Sequence, residues 1–292
     1  HDVAVLTMAP VDLSQRAEAM GVEVSVEGVQ VHTPRWGPAV TSGLTAVAGR
    51  IGGQSALQSA LIRRARPGLY RAADLIISTT NELGFDRPSV QYIHAPQFPP
   101  RGVAGLNRSA LTPLYRRVAK ANTNHLGDAM LLANSAWTAD HVHAIYGRRP
   151  EVLTPPVSPV TCDAHAAVRT PGVVLVGRIA PDKRVLEAIE AVDAVVDARG
   201  PIPLHIIGTA APTYRRYRDA VLAAADRRSH VRVHLDADRE HLHRLLCGNT
   251  IGLGMKPYEH FGMAVAEYAT AGLHPVTPHS GGQVETVERV GG

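Results

Sequence analysis

Two glutamates, Glu259 and Glu267, lie eight positions apart on either side of a glycine, Gly262. Eight helical residues turn through about 800°, so one continuous helix would not present both carboxylates on the same face. The side chains can serve one ligand if Glu259 lies in a loop and Glu267 in the second turn of a helix that begins near Gly262. Backbone amides at the start of that helix would bind an anion. A ligand with hydroxyls on both sides of phosphates is a nucleotide sugar.

The simpler alternative is a capped surface helix with two solvated glutamates. The residues that follow favour the binding hypothesis, because Ala271-Gly272 ends the predicted helix, a short strand comes next, and Ser280-Gly281-Gly282 opens another helix. Together these segments resemble the E-x7-E signature of the family 4 glycosyltransferases of the GT-B fold. The run from His260 to Tyr268 is most similar to the α-1,2-mannosyltransferases that extend dolichol-linked oligosaccharides and to their prokaryotic relatives.

The resemblance implies a role for each member of the carboxylate pair. Glu259 would bind the hydroxyls of the donor sugar, and Glu267 would bind the ribose diol. The donor phosphates would contact the backbone amides of Phe261, Gly262 and Met263. The second helix start, at Gly281 and Gly282, is a further candidate for contact with the donor, because glycine permits a close backbone approach.

Two basic residues, Arg178 and Lys183, follow the predicted strand 173–176. On such a loop, Arg can bind phosphate oxygens with two parallel hydrogen bonds, and Lys can supply a point charge. An ordinary basic loop before a helix is the alternative. The family has the same Arg-x4-Lys pattern at this strand end. The resemblance therefore implies that both residues bind the donor diphosphate and neutralise the departing nucleoside diphosphate without a metal.

An Asp-x-Asp motif, Asp236-Ala-Asp238, raises the alternative of a bound divalent cation. Because the motif follows a strand and precedes a predicted helix, Asp238 is expected to be the N-cap of that helix. Three histidines lack the carboxylate or thiolate spacing of a closed zinc site and are expected at the surface: His234, His241 and His243. The sequence therefore predicts neither a metal nor a cofactor, with the nucleotide sugar acting as a substrate.

A histidine, His94, ends the predicted strand 89–93, and Pro96 favours an extended conformation for the residue between them. This arrangement would present His94 at the carboxyl edge of a parallel sheet. The family has a functional His or Asp at this kind of position, near the acceptor and the anomeric carbon. The resemblance makes His94 a catalytic candidate, and a structural hydrogen-bonding role is the alternative.

Composition limits the setting of this chemistry. With 292 residues, the chain is long enough for two domains of roughly 140 residues each. No run approaches the roughly 18 apolar residues of a transmembrane helix, and no signal segment opens the chain. Cys162 and Cys247 form neither a disulfide framework nor a Cys-x-x-Cys pair, which favours a reducing, cytoplasmic setting. The family's first strand and glycine-rich loop are missing and the chain stops just after a helix, so we expect a fragment.

A basic stretch covers 50–120, where eleven Lys and Arg residues stand against three Asp and Glu residues. Two clusters within it fall on predicted helices: Arg63, Arg64 and Arg66, then Arg116, Arg117 and Lys120. Aromatic residues are sparse and no recognition motif is present, which argues against a nucleic acid partner. The charge suits an anionic membrane surface or a lipid-linked acceptor better. A solvated helix face is the alternative.

Alternating strand and helix patterns position these residues. Strands are predicted at 1–7, 22–26, 74–78, 89–93, 129–133, 151–153, 173–176, 204–207, 231–235, 250–253 and 275–277. The helices predicted in the second half are 184–198, 214–226, 239–246 and 263–271. This alternation predicts an α/β fold with parallel sheets.

Three prolines within 154–159 interrupt the alternation and mark a linker. We expect an acceptor-side domain at 1–155 and a domain that binds the nucleotide sugar at 156–292. The resemblance implies the GT-B fold, in which two Rossmann-like doubly wound domains face each other across a cleft.

The predicted function is that of a retaining glycosyltransferase. It would transfer a sugar, expected to be mannose from GDP-mannose, to a lipid-linked or glycan acceptor at the cytoplasmic face of a membrane. Its catalytic residues would be His94, Arg178, Lys183 and Glu259, acting by charge stabilisation and positioning rather than as a nucleophile. The alternatives are a glucosyltransferase that uses UDP- or ADP-glucose and a catalytically silent nucleotide-sugar-binding subunit. A dehydrogenase is disfavoured because no Gly-x-Gly-x-x-Gly follows a strand.

Overall fold

The computed structural model describes most of the chain as two compact units. The described residues are 2–20, 23, 25–37, 40, 41, 43, 54–85, 87–99, 106, 110–119, 121, 126–162 and 169–291. The first unit comprises His1–Asn134 and Thr138–Leu153, and the second comprises Ser135–Trp137 and Thr154–Gly292. The strands described in both units pair in parallel.

The first unit opens with two paired strands, β1 (Ala4–Leu6) and β2 (Gln30–His32), and helix α1 (Leu13–Met20) lies between them in the chain. The predicted strand at 22–26 is wrong in its described part, because residues 23, 25 and 26 are not in a strand; residues 22 and 24 lie outside the described residues. The chain instead turns at Gly28, whose φ of 77° glycine adopts readily. The strand therefore begins after this turn.

A four-stranded sheet in the order β3-β4-β5-β6 follows in the first unit. Its strands are β3 (Ile76–Ser78), β4 (Ser89–Ile93), β5 (Ala129–Ala133) and β6 (Glu151–Val152). The helices along this part of the chain are α2 (Gln54–Ala65), α3 (Pro67–Ala72), α4 (Thr112–Ala119) and α5 (Ala136–Tyr146). Alternate residues of β4 and β5 are buried, which fits the two-residue period of a strand.

The second unit is a five-stranded parallel sheet in the order β11-β10-β7-β8-β9. Its strands are β7 (Val173–Val176), β8 (Leu204–Gly208), β9 (Val231–Leu235), β10 (Ile251–Leu253) and β11 (His274–Val276). Its helices are α6 (Val185–Arg199), α7 (Arg215–Asp226), α8 (Arg239–Gly248), α9 (Met263–Thr270) and α10 (Gln283–Arg289).

The core of the second unit lies on both faces of this sheet. On one face, Leu175 of β7 packs in a cluster with Ile189 of α6. On the other face, Val174 packs in a cluster with Leu246 of α8 and Tyr268 of α9. The predicted doubly wound α/β architecture is therefore confirmed for this unit. Every strand and helix predicted in the second half is present, with bounds within two residues of those observed.

The two cysteines are bonded to each other, so the expectation that they form no disulfide is wrong. The Sγ atoms of Cys162 and Cys247 are 2.00 Å apart, and the two residues are separated by 85 positions. Cys247 lies near the end of α8, whereas Cys162 lies in the segment 153–162, which has no helix or strand. The sequence does not reveal the pair, because its formation depends on how this irregular segment packs on α8.

The described part of the chain contains no helix that is both long and apolar enough to cross a lipid bilayer.

Candidate functional site

The strand order of the second unit reverses between β7 and β10. From β7 the chain passes to β8 and β9 on one side, while β10 and β11 lie on the other. The two strands pair only at Ile251↔Val173 and Gly252↔Val174. In open α/β sheets, ligands bind beyond the carboxyl ends of the strands at such a reversal, where a crevice opens. A ligand site is therefore expected at the loops that follow β7 and β10.

Tyr268, on α9, bridges these two strands where their pairing stops. Its hydroxyl accepts a hydrogen bond from the N–H of Val176 at 2.6 Å and donates one to the carbonyl of Leu253 at 3.3 Å. Burial raises the pKa of the phenol, so the hydroxyl stays protonated. Gly252 makes room for the ring, since a Cβ there would lie 2.2 Å from Tyr268 Cγ. Tyr268 thus satisfies two backbone groups at the point where the strands separate.

A lysine–carboxylate cluster lies in the loops that follow β7 and β10. Lys183 ends the 3₁₀ turn Pro181–Lys183 after β7, and Glu259 lies in the loop after β10. Lys183 Nζ is 2.5 Å from Glu259 Oε2, and Lys256 Nζ is 3.3 Å from Glu259 Oε1. Asp182 Oδ2 lies 3.7 Å from Lys256 Nζ. The structure thus brings two of the predicted catalytic residues together and adds Lys256 to them.

The charge on Glu259 follows from this cluster. Burial alone would raise the pKa of its carboxyl group, whose side chain is only 18% exposed. The charges of Lys183 and Lys256, and their hydrogen bonds to the carboxylate, outweigh burial and hold the pKa below its usual value. Glu259 is therefore ionised at neutral pH and fixes two ammonium groups at the carboxyl end of the sheet.

Arg178 lies on the same loop as Lys183 but pairs with a different carboxylate. Its Nη2 is 3.2 Å from Asp182 Oδ2, and its side chain is 55% exposed. Because Asp182 also lies near Lys256, two carboxylates, those of Asp182 and Glu259, link the cations of Arg178, Lys183 and Lys256. A cluster with this excess of positive charge suits a diphosphate.

Helix α9 begins at Met263, as predicted, with Gly262 as its N-cap. The φ of Gly262 is 91°, a left-handed conformation that favours glycine. The first amides of a helix have no partner within it and form its positive end. Glu259 lies in the loop before α9 and Glu267 in its second turn, so the predicted placement of the carboxylate pair is confirmed. Phe261, in the loop, is half-buried.

The carboxyl group of Glu267 is half-buried. Burial raises its pKa, an effect that the charge of Arg239, the first residue of α8, partly offsets. A carboxylate that has already lost part of its water forms strong hydrogen bonds with hydroxyl groups. The binding roles of Glu267 and of the amides of Phe261, Gly262 and Met263 stay predictions.

Gly281 and Gly282 lie against the backbone of the Glu259 loop. Gly281 forms a parallel bridge with Glu259, and the N–H of Gly282 donates to the Glu259 carbonyl at 2.8 Å. A Cβ on Gly281 would lie 2.4 Å from the Glu259 carbonyl oxygen, and one on Gly282 would lie 2.1 Å from that of His260. Both positions therefore require glycine, because any side chain there would prevent the backbone of 281–282 from packing against the loop that carries Glu259. Their contact with a donor stays a prediction.

Asp238 is the N-cap of α8, as predicted, because its Oδ1 accepts a hydrogen bond from the N–H of His241 at 2.7 Å. The three histidines expected at the surface, His234, His241 and His243, are partly exposed. The ring of His234 lies 3.1 Å from a ring nitrogen of His205 and 3.0 Å from one of His241. Within the described ranges, no three His, Cys, Asp or Glu side chains are grouped so that they could hold a metal ion.

His94, in the first unit, immediately follows β4, as the sequence predicts. Its backbone is fixed on both sides: its N–H donates to Asn81 Oδ1 at 2.8 Å, and its carbonyl accepts from Asn134 Nδ2 at 3.0 Å. The Tyr92 ring lies edge-on, with the ring centroids 4.7 Å apart. Although the residue is exposed, neighbouring atoms remove part of the water around its ring and lower the pKa of the imidazole. The neutral form therefore dominates at neutral pH.

Two residues of the second unit's site, Lys256 and Tyr268, were missed by the sequence analysis. Lys256 stands three positions before Glu259, and Tyr268 is the single aromatic residue in the eight residues of α9. Both facts are visible in the sequence. Neither could be interpreted without the strand order, which places Tyr268 between β7 and β10 and Lys256 in the loop that follows β10.

Comparison with known proteins assigns a family to this region. Residues 165–290 match the family described as "Glycosyl transferases group 1". The chain is 27% identical over 166 residues, 52% of its length, to the GDP-Man:Man(3)GlcNAc(2)-PP-Dol alpha-1,2-mannosyltransferase of Candida glabrata, of which 33% is covered. The Yarrowia lipolytica enzyme of the same name is 26% identical over 227 residues, covering 67% of this chain and 36% of that one. The chain thus spans about a third of the length of these relatives.

Similarity to solved structures extends over both units. The crystal structure of Anabaena HepE in complex with UDP and glucose superimposes with a TM-score of 0.56 at 17% identity, covering 97% of this chain and 74% of that one. At this identity the similarity concerns the fold, and it agrees with the predicted GT-B fold. Residues 165–290, in the second unit, therefore match a glycosyl transferases group 1 domain, and the chain shares the fold of the solved structure.

Proposed function

We propose that this chain is a retaining, metal-independent glycosyltransferase that transfers mannose from GDP-mannose to a lipid-linked or glycan acceptor. The observation that carries the proposal is the cluster of Lys183, Lys256 and Glu259 where β7 and β10 separate, within the glycosyl transferases group 1 match. Mannose and GDP are favoured because both curated relatives are named as GDP-mannose-dependent mannosyltransferases.

In this proposal the cations neutralise charge that develops on the leaving group. The bond between the anomeric carbon and the donor diphosphate breaks, and Arg178, Lys183 and Lys256 stabilise the nucleoside diphosphate that forms. The acceptor hydroxyl forms the new bond on the same face, and its proton passes to the departing phosphate oxygen. Groups that are fixed before the reaction stabilise such charge at little reorganisation cost. Glu259 holds two of these cations in place and would also bind the donor sugar's hydroxyls.

On the acceptor side, His94 is the proposed functional residue of the first unit. A neutral imidazole can accept a hydrogen bond from a hydroxyl group, and the lowered pKa of His94 keeps it neutral. Its exposure at the carboxyl end of β4 leaves the ring accessible to an acceptor.

A UDP-glucose-dependent glucosyltransferase is the second candidate. One observation favours it: the structure of HepE, which shares this fold, contains UDP and glucose. The two candidates share the diphosphate site and differ in the base and sugar that are recognised.

The proposal is tested by measuring donor binding and transfer with the same panel of nucleotides. We expect GDP and GDP-mannose to raise the unfolding temperature more than UDP, ADP and their glucose conjugates, and only GDP-mannose to support transfer to a lipid-linked acceptor. Preference for UDP-glucose would favour the second candidate. Binding of a sugar nucleotide without transfer would support a silent subunit, and absence of any binding would reject the donor site.

Transfer is expected to persist in EDTA, because Arg178, Lys183 and Lys256 supply the positive charge and Asp238 is engaged as a helix cap. The rate of the enzyme treated with chelator should stay within about twofold of the rate of the untreated enzyme. A loss of about 1.4 kcal/mol of transition-state stabilisation would instead lower the rate about tenfold. A rate abolished by EDTA and restored by Mn²⁺ would reject metal independence.

Substitutions of Arg178 and Glu267 should weaken nucleotide binding in different ways. Arg178→Ala removes a phosphate partner and should weaken nucleoside diphosphates but not the free nucleoside. Glu267→Ala removes the proposed ribose partner and should weaken the free nucleoside as well. Each loss should be about 1.5–3 kcal/mol, typical of a hydrogen bond to a charged group. Calorimetry on both variants, with Arg244→Ala on the exposed face of α8 as the control, checks this; unchanged affinity would remove that residue from the site.

A peripheral position on the cytoplasmic face of a membrane is part of the proposal. The basic stretch supports it only in part, because Arg66 Nε donates to the Thr33 carbonyl and Arg116 Nε to that of Ala121, each at 2.7 Å. Arg64 and Arg117 are exposed. Four further basic residues of this stretch lie outside the described residues: Arg50, Arg101, Arg108 and Lys120.

Membrane binding is expected to depend on Arg64 and Arg117. Each exposed charge near an anionic surface is worth about 1 kcal/mol, so Arg64→Glu with Arg117→Glu should abolish sedimentation with anionic liposomes at low salt. The matched control is Arg199→Glu with Arg289→Glu, which reverses two exposed charges of the second unit. Equal sedimentation with neutral liposomes, or binding that salt does not weaken, would mean that the basic stretch is a solvated face.

A further inference from the structure

The loop that carries His94 is held by the side chains of two consecutive residues, Asn81 and Glu82, in the loop after β3. Asn81 Oδ1 accepts hydrogen bonds from the N–H groups of His94 at 2.8 Å and Ala95 at 3.0 Å. One amide oxygen thus fixes the first two residues after β4. The orientation of the His94 backbone depends directly on Asn81.

Glu82 continues the same pattern along the loop. Its Oε1 accepts hydrogen bonds from the N–H groups of Gln97 at 2.7 Å and Phe98 at 3.2 Å. The residue between the two pairs, Pro96, has no N–H group. Every backbone N–H of the loop 94–98 is therefore bound by either Asn81 or Glu82, so that two neighbouring side chains determine the path of the whole segment.

Burying the carboxyl group of Glu82 at this position costs free energy of folding. Its side chain is completely buried, and its Oε2 has no hydrogen-bond partner within the described residues. The Tyr146 hydroxyl donates to Oε1 at 3.1 Å, and the Arg116 guanidinium lies 5.2 Å from the centre of the Tyr146 ring. Burial raises the pKa of Glu82 to about 7, against the effect of these hydrogen bonds. Burying an ionisable group costs free energy unless it is hydrogen-bonded, so the hydrogen bonds that Oε1 accepts are what offset the cost of a carboxyl group here.

We propose that Asn81 and Glu82 are positioning residues that hold His94 in the orientation required for transfer. The inference rests on the proposed function, which assigns His94 to the acceptor side of the reaction. In it, Asn81 sets the direction of the His94 backbone, and Glu82 prevents the loop beyond Pro96 from moving. Neither side chain contacts a substrate, and both act through the loop.

The backbone conformation of Asn81 decides which variant tests this. Its φ is 69°, a left-handed conformation that Gly adopts freely and Asn or Asp tolerate, but which strains Ala. Asn81→Gly therefore removes the accepting oxygen without adding strain. Asn81→Asp keeps an accepting oxygen and should rescue the loss.

A double-mutant cycle with His94→Ala separates positioning from general stability. We expect Asn81→Gly to lower kcat about 10- to 100-fold when His94 is present, to leave the Kd of the nucleoside diphosphate unchanged, and to have little further effect once His94 is Ala, because residues that act through one another are not additive. Equal losses in both backgrounds would overturn the proposal, since they would mean that Asn81 does not act through His94.

Hydrogen exchange tests the same contacts without any activity, so it distinguishes a failed positioning role from a failed proposed function. Asn81→Gly should speed amide exchange at His94 and Ala95, and Glu82→Leu should do so at Gln97 and Phe98. Glu82→Gln, which keeps an accepting oxygen, should leave exchange unchanged. Unchanged protection in the folded Asn81→Gly protein would overturn the proposal whatever the enzyme's activity.

Discussion

Replacing Glu259 with Gln is expected to lower the rate of transfer about 100- to 1000-fold, the range found when one pre-positioned stabilising group is removed from an active site. Gln has the same shape but cannot neutralise the ammonium groups of Lys183 and Lys256, which lie 2.5 and 3.3 Å from the carboxylate. It therefore weakens the ion pairs that hold the two cations and weakens the proposed contact with the donor sugar. The nucleoside diphosphate should still bind, because its partners remain.

The measurement is kcat by transfer of labelled mannose, together with the Kd of GDP by calorimetry. Glu240→Gln is a suitable control, because Glu240 forms an exposed ion pair with Arg244 on α8 of the same unit, and such pairs contribute little. If Glu259→Gln keeps more than half of the activity, Glu259 is not catalytic. A GDP affinity that falls in step with kcat would instead mean that Glu259 supports the nucleotide site as a whole.

Breaking the bond between Cys162 and Cys247 is expected to destabilise the second unit by about 2–4 kcal/mol, the usual effect of removing a disulfide that closes a long loop. The loop closed here extends over 85 positions. Both cysteines also border a buried cluster that includes Val160 and Leu273. Thermal unfolding with and without a reducing agent should show the lower midpoint in reducing buffer.

The matched variant carries Ser in place of both cysteines and should unfold at the lower midpoint in either buffer. Two free thiols in denatured protein that has not been reduced would contradict the bond. The result also bears on the proposed location, because cytoplasmic thiols are normally kept reduced. A bond that survives in protein isolated from the cytoplasm under thiol trapping would show that it resists reduction there.

The elements of the second unit were predictable because its strands are continuous apolar runs, such as Val173–Val176, separated by helical patterns. These signals lie in residues that are close together in the sequence, so they can be read without knowledge of the fold. The strand β2 lacks such a local signal and was missed. Its sequence, Gln30-Val-His32, contains a single aliphatic residue and resembles a loop. Its pairing with β1 supplies the stability that its own composition does not.

Only part of the site could be predicted, because the sequence indicates residue types but not which of them meet. The carboxylate pair Glu259 and Glu267 was identified from spacing around a glycine, and its placement in a loop and a helix is local information. Lys256 became interpretable only when the strand order placed it beside Glu259. The hydrogen bonds that the backbone N–H groups of the loop after β4 donate to Asn81 and Glu82 depend on contacts between consecutive strand ends, which no local pattern encodes.

The hydroxyl of Tyr268, which bridges Val176 and Leu253 where β7 and β10 separate, has a consequence for how this site can diverge. The distance between the two strand ends is set by a rigid side chain in the core and does not depend on the loops that line the crevice. Substitutions in those loops can therefore alter the base or sugar that is recognised while the crevice keeps its width. Variation among related sequences should accordingly be tolerated at loop positions outside the cluster of Lys183, Lys256 and Glu259, and resisted at Tyr268 and Gly252, whose sizes are matched to each other.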